Sequence, residues 1–195
     1  MLKFKFVFLL IAWVLSINTY AQQNDSKVDS ILSLKSYIEQ NISNPKVFTV
    51  IEIDGFKPTT IIKKKILGLF NKTISQTYGG SYSETDIIKD STLISARVWN
   101  RIYFDSQKDS SEMTFEEFIY DNDKLCYYYE IKKSEKKGRS DSIIYKVEYF
   151  FYNGNIIKKS IKGKLDLEEK DYINKFKLLS NSLYNKTNEW IEQNK

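Results

Sequence analysis

The chain has 195 residues, and its 30 basic and 25 acidic side chains leave a net charge of +5 at pH 7. A nucleic-acid partner is not expected, because the lysines are scattered and form neither a basic stripe nor a recognition motif. Histidine is absent and Cys126 is the only cysteine. These two facts exclude Ser-His-Asp and Cys-His catalysis, histidine-based zinc sites and an internal disulfide.

The N-terminus has the pattern of a signal peptide. Lys3 and Lys5 precede the apolar run "FVFLLIAWVLSI", and Thr19 and Ala21 supply the small residues of a cleavage site. The run is shorter than the about 20 residues that a membrane-spanning helix needs. We therefore predict cleavage after Ala21, so that residues 1–21 are the signal peptide. Export to the periplasm or the cell exterior follows, with no stable membrane anchor after cleavage and a single domain over residues 22–195.

An amphipathic helix is predicted at each end of that domain. Residues 25–42 repeat apolar or long side chains at steps of three and four, namely Val28, Ile31, Lys35, Ile38 and Ile42. Residues 167–192 do the same with Tyr172, Phe176, Leu179, Leu183, Thr187 and Trp190. Asp166 and Glu169 are the predicted cap and first-turn acid of the second helix.

Between the helices the sequence predicts an antiparallel meander of about six strands, which makes the fold α+β. The predicted strands are residues 47–53, 93–104, 114–120, 125–133, 143–152 and 155–162. Residues 59–75 fit either a helix or a bent strand, and we favour strand; "YGGS" (78–81) is predicted to interrupt the chain. The buried sheet face is expected to come from Ile94/Val98/Ile102, Leu125/Tyr127/Tyr129/Ile131 and Tyr145/Val147/Tyr149/Phe151.

A short pattern occurs twice, as "FIYDNDKLC" (118–126) and "FFYNGNIIK" (150–158). In each copy an aromatic strand meets a polar turn and then an apolar strand, which predicts a repeated β-hairpin. Asn153-Gly154 is typical of a tight two-residue turn. Asp121–Lys124 predicts a looser turn held by side-chain hydrogen bonds, and a degenerate third copy is expected around residues 101–104.

The stretches "FIYDNDKL", "FFYNGNII" and "YGGSY" resemble a group of exported bacterial proteins of unknown activity. Those proteins carry repeated units of the form Tyr/Phe-x-Tyr/Phe-Asp/Asn-x-Gly-x-Leu/Ile, often with a signal peptide, an early helix and a Gly-Gly segment. The resemblance covers about residues 78–162, and the first copy has Asp123 near the place of the glycine. It implies the hairpin architecture and export, and it brings no catalytic residues.

Arg97, Trp99, Arg101 and Tyr103 are the candidate binding residues. They alternate along one predicted strand, so all four side chains lie on one face. Aromatic and arginine side chains together suit recognition of a sugar, a peptide or a protein. The alternative is that a terminal helix covers this face and packs on the arginine stems and the indole, and we favour this alternative because two amphipathic helices must cover part of the sheet. If the face binds a partner, Trp99 with Arg97 and Arg101 is expected to form the anchor.

Other polar groups do not predict a reaction. Asp121-Asn122-Asp123 lacks the glycine and the distal glutamate of a calcium loop, so neither a metal nor a cofactor is predicted. Glu116 and Glu117 point to opposite faces of a strand and cannot act as one carboxylate pair. Cys126 is either a packed apolar side chain or a reactive thiol, and the first is favoured.

The function predicted from these observations is an exported binding or interaction protein without assigned catalytic residues. Its partner would be an envelope or extracellular protein, a peptide or a glycan. The alternative function is a carboxylate-dependent envelope hydrolase, since two converging carboxylates are enough for glycoside hydrolysis. A shallow aromatic surface would favour the first function, and a deep cleft that holds two acids would favour the second.

Overall fold

A computed structural model describes the backbone of residues 2–56, 59–67, 70–104 and 110–194, and the side chains of residues 22–56, 79–104 and 110–194. The two helices are α1 (Leu2–Asn41) and α2 (Glu169–Gln193). The strands are β1 (Thr49–Phe56), β2 (Thr59–Leu67), β3 (Phe70–Tyr78), β4 (Gly80–Lys89), β5 (Thr92–Tyr103), β6 (Ser110–Asp121), β7 (Lys124–Lys136), β8 (Ser142–Tyr152) and β9 (Asn155–Gly163).

Seven of the strands form one antiparallel sheet in the order β1-β4-β5-β6-β7-β8-β9, so the predicted α+β meander is confirmed. Strands β2 and β3 pair with each other, which confirms strand rather than helix for residues 59–75. Their register continues that of β1 and β4, since Phe56 pairs with Ser81 and Thr59 pairs with Tyr78. The described residues between 49 and 88 thus follow one hairpin register, with the predicted glycine break before β4.

Each helix covers a different face of the sheet. Tyr127 and Tyr128 are neighbours on β7 and therefore point to opposite faces. Tyr127 packs with Val28, Ile31 and Ile38 of α1, and we call this side the α1 face. Tyr128 packs with the α2 residues that include Tyr172, Phe176 and Leu183, and we call that side the α2 face.

The three predicted groups of core residues do not share one face. The β8 group, Tyr145, Val147, Tyr149 and Phe151, is buried on the α2 face together with Val98. Tyr127 is buried on the α1 face, where Ile94 and Tyr129 pack beside it. The single-face expectation was wrong because a helix covers each side, so apolar side chains of both parities are buried.

Strand β4 was not predicted from the sequence. It alternates correctly, but two of its inward positions are the acids Glu84 and Asp86, which are 1% and 2% exposed. A strand signal depends on apolar residues at alternate positions, and these acids remove it.

The repeated hairpin occurs three times in the sheet, and the third copy is not where it was predicted. Positive φ angles mark the turn pairs Asp90-Ser91, Asn122-Asp123 and Asn153-Gly154, each of which joins two strands directly. The third copy is therefore the β4–β5 turn, whereas residues 101–104 lie at the end of β5. In the structure Asn122 corresponds to Asn153, because each is the first residue of its turn. Alignment of the two sequence stretches instead places Asp121 opposite Asn153. The turn at Asp121–Lys124 is as tight as the Asn-Gly turn.

A bulge follows each of these turns at the same place. The register shifts between Ile87 and Ile88, between Ile119 and Tyr120, and between Phe150 and Phe151. The extra residues on the partner strands are Ile94, Cys126 and Ile157, and all three pack on the α1 side of the core. The repeat therefore specifies an apolar bulge for α1 to pack against, as well as a turn.

Helix α2 buries a slightly different stripe from the one predicted. Tyr172, Phe176, Leu183 and Thr187 are buried as expected. Ser180 and Ile191 are buried in addition, whereas Trp190 is 42% exposed. The predicted cap, Asp166, is not the capping residue: Glu168 takes that position without a side-chain hydrogen bond, and Asp166 accepts a hydrogen bond of 2.9 Å from Lys132.

Candidate functional site

The residues Arg97, Trp99, Arg101 and Tyr103 do lie on one face of β5, the α1 face. Arg97 is paired with Thr85 and Glu117 across the sheet, at the edge of the area that α1 covers. Its guanidinium donates to Glu117 Oε1 at 2.8–2.9 Å, and Lys35 of α1 lies 2.6 Å from the other oxygen. Glu117 is buried, so both cations neutralise it inside the fold. Arg97 is therefore committed to an internal ion pair.

Trp99 lies beyond the part of the sheet that described side chains of α1 contact. Its side chain is 42% exposed, and its ring packs on Phe115 of β6 with the centroids 4.3 Å apart. Trp99 pairs with Ser83 on the other side, so a small side chain leaves one edge of the indole open. The hypothesis that a terminal helix covers the whole row is correct at Arg97 and wrong at Trp99.

Arg101 and Tyr103 occupy the far end of the row. Arg101 donates to Glu135 Oε1 of β7 at 3.1 Å and lies against the Met113 sulfur. Its side chain remains 39% exposed. Burial lowers the pKa of Arg101, but its hydrogen bonds with Tyr103 and Glu135 and the negative charge of Glu135 outweigh burial and raise the pKa. Tyr103 is thus a polar neighbour of Arg101.

A groove of about 320 Å³ runs beside the indole, and we call it the Trp99 groove. Its lining residues come from three adjacent strands: Asp54 and Gly55 of β1, Ser81, Tyr82 and Ser83 of β4, and Trp99, Asn100 and Arg101 of β5, with Met113 of β6. An aromatic wall, a carboxylate at one side and a guanidinium at the other give it both contact area and polar specificity. Of the four predicted residues, Trp99 and Arg101 line this groove, and Arg97 and Tyr103 do not.

The α2 face carries a second polar cluster that sequence reasoning missed. Glu130 is 2% exposed and accepts hydrogen bonds from Tyr128 and Tyr145, both at 2.6 Å, and from Tyr172 of α2. Tyr128 also lies 3.0 Å from Glu116, the residue directly across the ladder from Glu130. Burial and the nearby carboxylates raise the pKa values of all three tyrosines, which keeps them neutral donors.

Glu116 and Glu130 line a cleft of about 260 Å³ between the sheet and the start of α2. Lys132 lies at its rim and pairs with Glu112 at 3.0 Å and Asp166 at 2.9 Å. The space between the two buried carboxylates holds the Tyr128 hydroxyl. A pair of catalytic carboxylates needs that space for the substrate. The cluster therefore resembles a structural network more than a reaction centre.

A further pair of buried acids, Glu84 and Asp86, lies under the C-terminal half of α2. Lys186 forms an ion pair with Glu84, Tyr82 donates to the same carboxylate, and the Thr187 hydroxyl donates to Asp86 Oδ2 at 2.6 Å. Asp86 Oδ1 has no hydrogen-bond partner among the described residues. Burial, together with the charge of Glu84, raises the pKa of Asp86 to about 6.

The sequence contains a signal for these buried acids in the spacing of residues along their strands. Glu84 and Asp86 are two positions apart, as are Tyr128 and Glu130, so each pair shares a face of its strand. A strand covered on both sides buries such side chains, so they must hydrogen-bond to each other or to the helices. The prediction that Glu116 and Glu117 point to opposite faces is confirmed, since Glu116 contacts Tyr128 and Glu117 contacts Arg97.

The other residues considered from the sequence, the acidic turn at Asp121 and the thiol of Cys126, have structural surroundings. Asp121 accepts from the Asn122 side chain within the tight turn, and over the described residues no three His, Cys, Asp or Glu side chains come together as a metal site. Cys126 is buried, and burial raises the pKa of its thiol to about 12. None of the helices, over the residues whose placement is described, combines the length and the apolar character needed to cross a bilayer.

Comparison with known proteins gives little further information. No family model and no curated protein matches the chain. A crystal structure of a protein from Akkermansia muciniphila is similar over 66% of this chain and 77% of that one, with 11% sequence identity and a TM-score of 0.18. A similarity at this level carries no argument about function.

Proposed function

We propose that this chain is an exported binding protein that holds its partner at the Trp99 groove. The observation that carries the proposal is the half-exposed indole of Trp99 beside a groove with Asp54 on one side and Arg101 on the other. Tryptophan and arginine dominate the energetics of many interfaces because they combine large contact area with directed hydrogen bonds. The leader-like N-terminus and the resemblance to exported proteins support an envelope or extracellular partner.

The rigidity of the groove supports the same function. Trp99 packs on Phe115, Arg101 is fixed by Glu135, and the strands that carry them lie in the middle of the sheet. Side chains that are already ordered lose little conformational entropy when a partner binds, and this improves affinity.

Trp99→Ala and Trp190→Ala form a matched pair for the test. Both indoles are 42% exposed, but Trp190 lies on α2 away from the groove. The purified wild-type protein and both variants are immobilised and incubated with envelope extract from the producing organism. We expect Trp99→Ala to weaken binding of the captured partner by about thirtyfold, equivalent to about 2 kcal/mol, while Trp190→Ala binds like the wild type. Equal capture by all three proteins contradicts the proposal.

One observation favours the alternative function, a carboxylate-dependent hydrolase: Glu116 and Glu130 line the same cleft. Against it, each carboxylate is occupied by tyrosine hydroxyls. Incubation of the wild type and Glu130→Gln with envelope polysaccharides separates the two functions. If the protein is a hydrolase, the wild type releases sugar and Glu130→Gln does not. If it is the binding protein that we propose, neither releases sugar.

A further inference from the structure

Strand β1 is an edge of the sheet that no described strand covers. It pairs only with β4, and seven of its eight residues are exposed. On the side away from β4, the backbone N–H and C=O groups of an edge strand can pair with another chain. Gly79 lets the Phe56 ring lie close to the backbone at the end of β1, since a Cβ at that glycine would stand 2.8 Å from the ring.

The opposite edge, β9, is protected by lysines, which β1 lacks. Strand β9 carries Lys158, Lys159 and Lys162, and it ends at Gly163, whose φ of 87° turns the chain. Lysines on an edge discourage pairing with other strands. Strand β1 has no lysine, and its exposed apolar side chains are Val50, Ile53 and Phe56, at 37%, 39% and 72% exposure.

Two acids give the β1 edge its chemical character. Glu52 and Asp54 pair with Thr85 and Ser83, which places both carboxylates on the α1 face. Within the described part of the chain neither carboxylate has an ion pair, and the arginine in the Glu52 row, Arg97, is already bound to Glu117. Asp54 lines the Trp99 groove. The open edge and the groove therefore form one continuous surface with uncompensated negative charge at their junction.

We propose that the partner is an extended peptide segment that adds to β1 as a further strand and places a lysine or arginine over Asp54, in the mouth of the Trp99 groove. This inference rests on the proposed function and names the class of its partner. Backbone hydrogen bonds along the edge supply affinity, and alternate side chains supply specificity.

The spacing of the strands supports a basic side chain at this place. Neighbouring strands lie about 4.8 Å apart, so a residue opposite Asp54 starts about three strand spacings from Trp99. Across that row the intervening side chains are Asp54 and Ser83, and Ser83 is small. A long cationic side chain can therefore pair with Asp54 and approach the indole, where a cation is attracted to the ring face. A neutral sugar would use the indole but neither the acids nor the open backbone edge.

The test uses fluorescein-labelled synthetic peptides of about eight residues with alternating valine and lysine, and it reads fluorescence anisotropy with the purified protein. A second peptide carries glutamate in place of lysine, and a third keeps lysine but has every backbone nitrogen methylated. We expect the lysine peptide to bind, and the other two to bind at least about tenfold more weakly, because one has the wrong charge and the other cannot donate backbone hydrogen bonds. Equal binding of the methylated peptide overturns the inference.

Variants of the protein complete the test. Glu52→Lys combined with Asp54→Lys should weaken binding of the lysine peptide by about tenfold or more and improve binding of the glutamate peptide. The control combines Asp25→Lys with Asp141→Lys, two exposed acids elsewhere that change the net charge equally, and it should bind like the wild type. Thermal melts check that both double variants fold. Equal effects of the two double variants overturn the inference, because they indicate attraction to net charge alone.

The inference and the proposed function fail in different ways. If Trp99→Ala loses the captured envelope partner while the β1 charge variants retain it, the inference is wrong and the binding function stands. If the wild type binds a soluble polysaccharide and Trp99→Ala does not, the peptide inference is likewise wrong and the binding function stands. If Trp99→Ala and Trp190→Ala both retain the envelope partner, the proposed function itself is wrong.

Discussion

Asp86→Asn should make the protein more stable at neutral pH and change how its stability depends on pH. Asp86 is 2% exposed, and one of its carboxylate oxygens has no partner among the described residues. The pKa of Asp86 is raised to about 6 by burial and by Glu84, which outweigh the Thr187 hydrogen bond and the Lys186 charge that lower it. The folded protein therefore holds a proton that the unfolded chain releases near pH 4.

The sign and size of the effect follow from that difference. Because the pKa of Asp86 is higher in the folded protein, its protonation stabilises the folded state fully at a pH below the pKa of the unfolded chain. This stabilisation is lost as pH rises from about 4 to about 6. A shift of about two units corresponds to about 3 kcal/mol that wild type loses over that interval. An asparagine resembles the protonated acid, since it can accept from Thr187 and donate to Glu84, and it does not titrate.

The assay is urea unfolding, followed by circular dichroism, between pH 4 and pH 7.5. We take the free energy of unfolding of Asp86→Asn minus that of the wild type, because the pH-dependent contributions of the other carboxylates cancel in this difference. We expect the difference to grow by about 3 kcal/mol from the lower to the higher pH. Asp141→Asn, an exposed acid in the β7–β8 loop, should follow the wild type at every pH. A difference between Asp86→Asn and the wild type that stays constant across the range refutes the reasoning.

Three further predictions concern the turns, the tyrosine cluster and the cysteine. Ser91→Gly should stabilise the fold by about 1 kcal/mol and Gly154→Ala should destabilise it by a similar amount, measured by urea unfolding, because both positions have positive φ; equal effects of the same sign would contradict this. Glu130→Gln should cost about 2 kcal/mol of stability, more than Tyr145→Phe, because it leaves buried hydroxyls without acceptors. Cys126 should react with Ellman's reagent only as fast as the protein unfolds, and rapid reaction of the folded protein would show that the thiol is accessible.

The general architecture could be predicted because its determinants are local. Alternation in β5, the Asn-Gly turn and the three-four spacing of Val28, Ile31 and Ile38 each specify an element within a few residues. All three are present in the structure.

The errors have a common physical cause, which is that the sheet is covered on both sides. Strand β4 escaped recognition because Glu84 and Asp86 occupy inward positions, and these acids are tolerated only because Lys186 and Thr187 of α2 reach them from about a hundred residues away in sequence. The third hairpin was misplaced because Asp90-Ser91 adopts the turn conformation without a glycine. Neither fact can be read from a window of neighbouring residues.

The candidate site was found only in part for the same reason. Alternation placed Arg97, Trp99, Arg101 and Tyr103 on one face, but their roles depend on residues far away in the sequence. Arg97 is bound by Glu117 and Arg101 is fixed by Glu135, whereas Trp99 remains exposed. A single strand pattern cannot tell an anchored cation from an available one, and the groove itself exists only after three strands have paired.

The acids of this sheet divide into a buried group and an exposed group, and this division bears on function. Glu117 on the α1 face belongs to the buried group, since Arg97 and Lys35 bind it. On the α2 face, Glu84 is buried and paired with Lys186, and the buried Glu116 and Glu130 accept hydrogen bonds from neutral tyrosine hydroxyls, so all three have partners inside the fold. On the α1 face, Glu52 and Asp54 stand on an open edge with no ion pair among the described residues. Holding carboxylates in a folded protein costs little at an exposed edge and much in a core, so the buried acids need their partners for stability whereas the edge acids do not. Glu52 and Asp54 therefore remain available to a partner, and Asp54 lies in the groove beside Trp99.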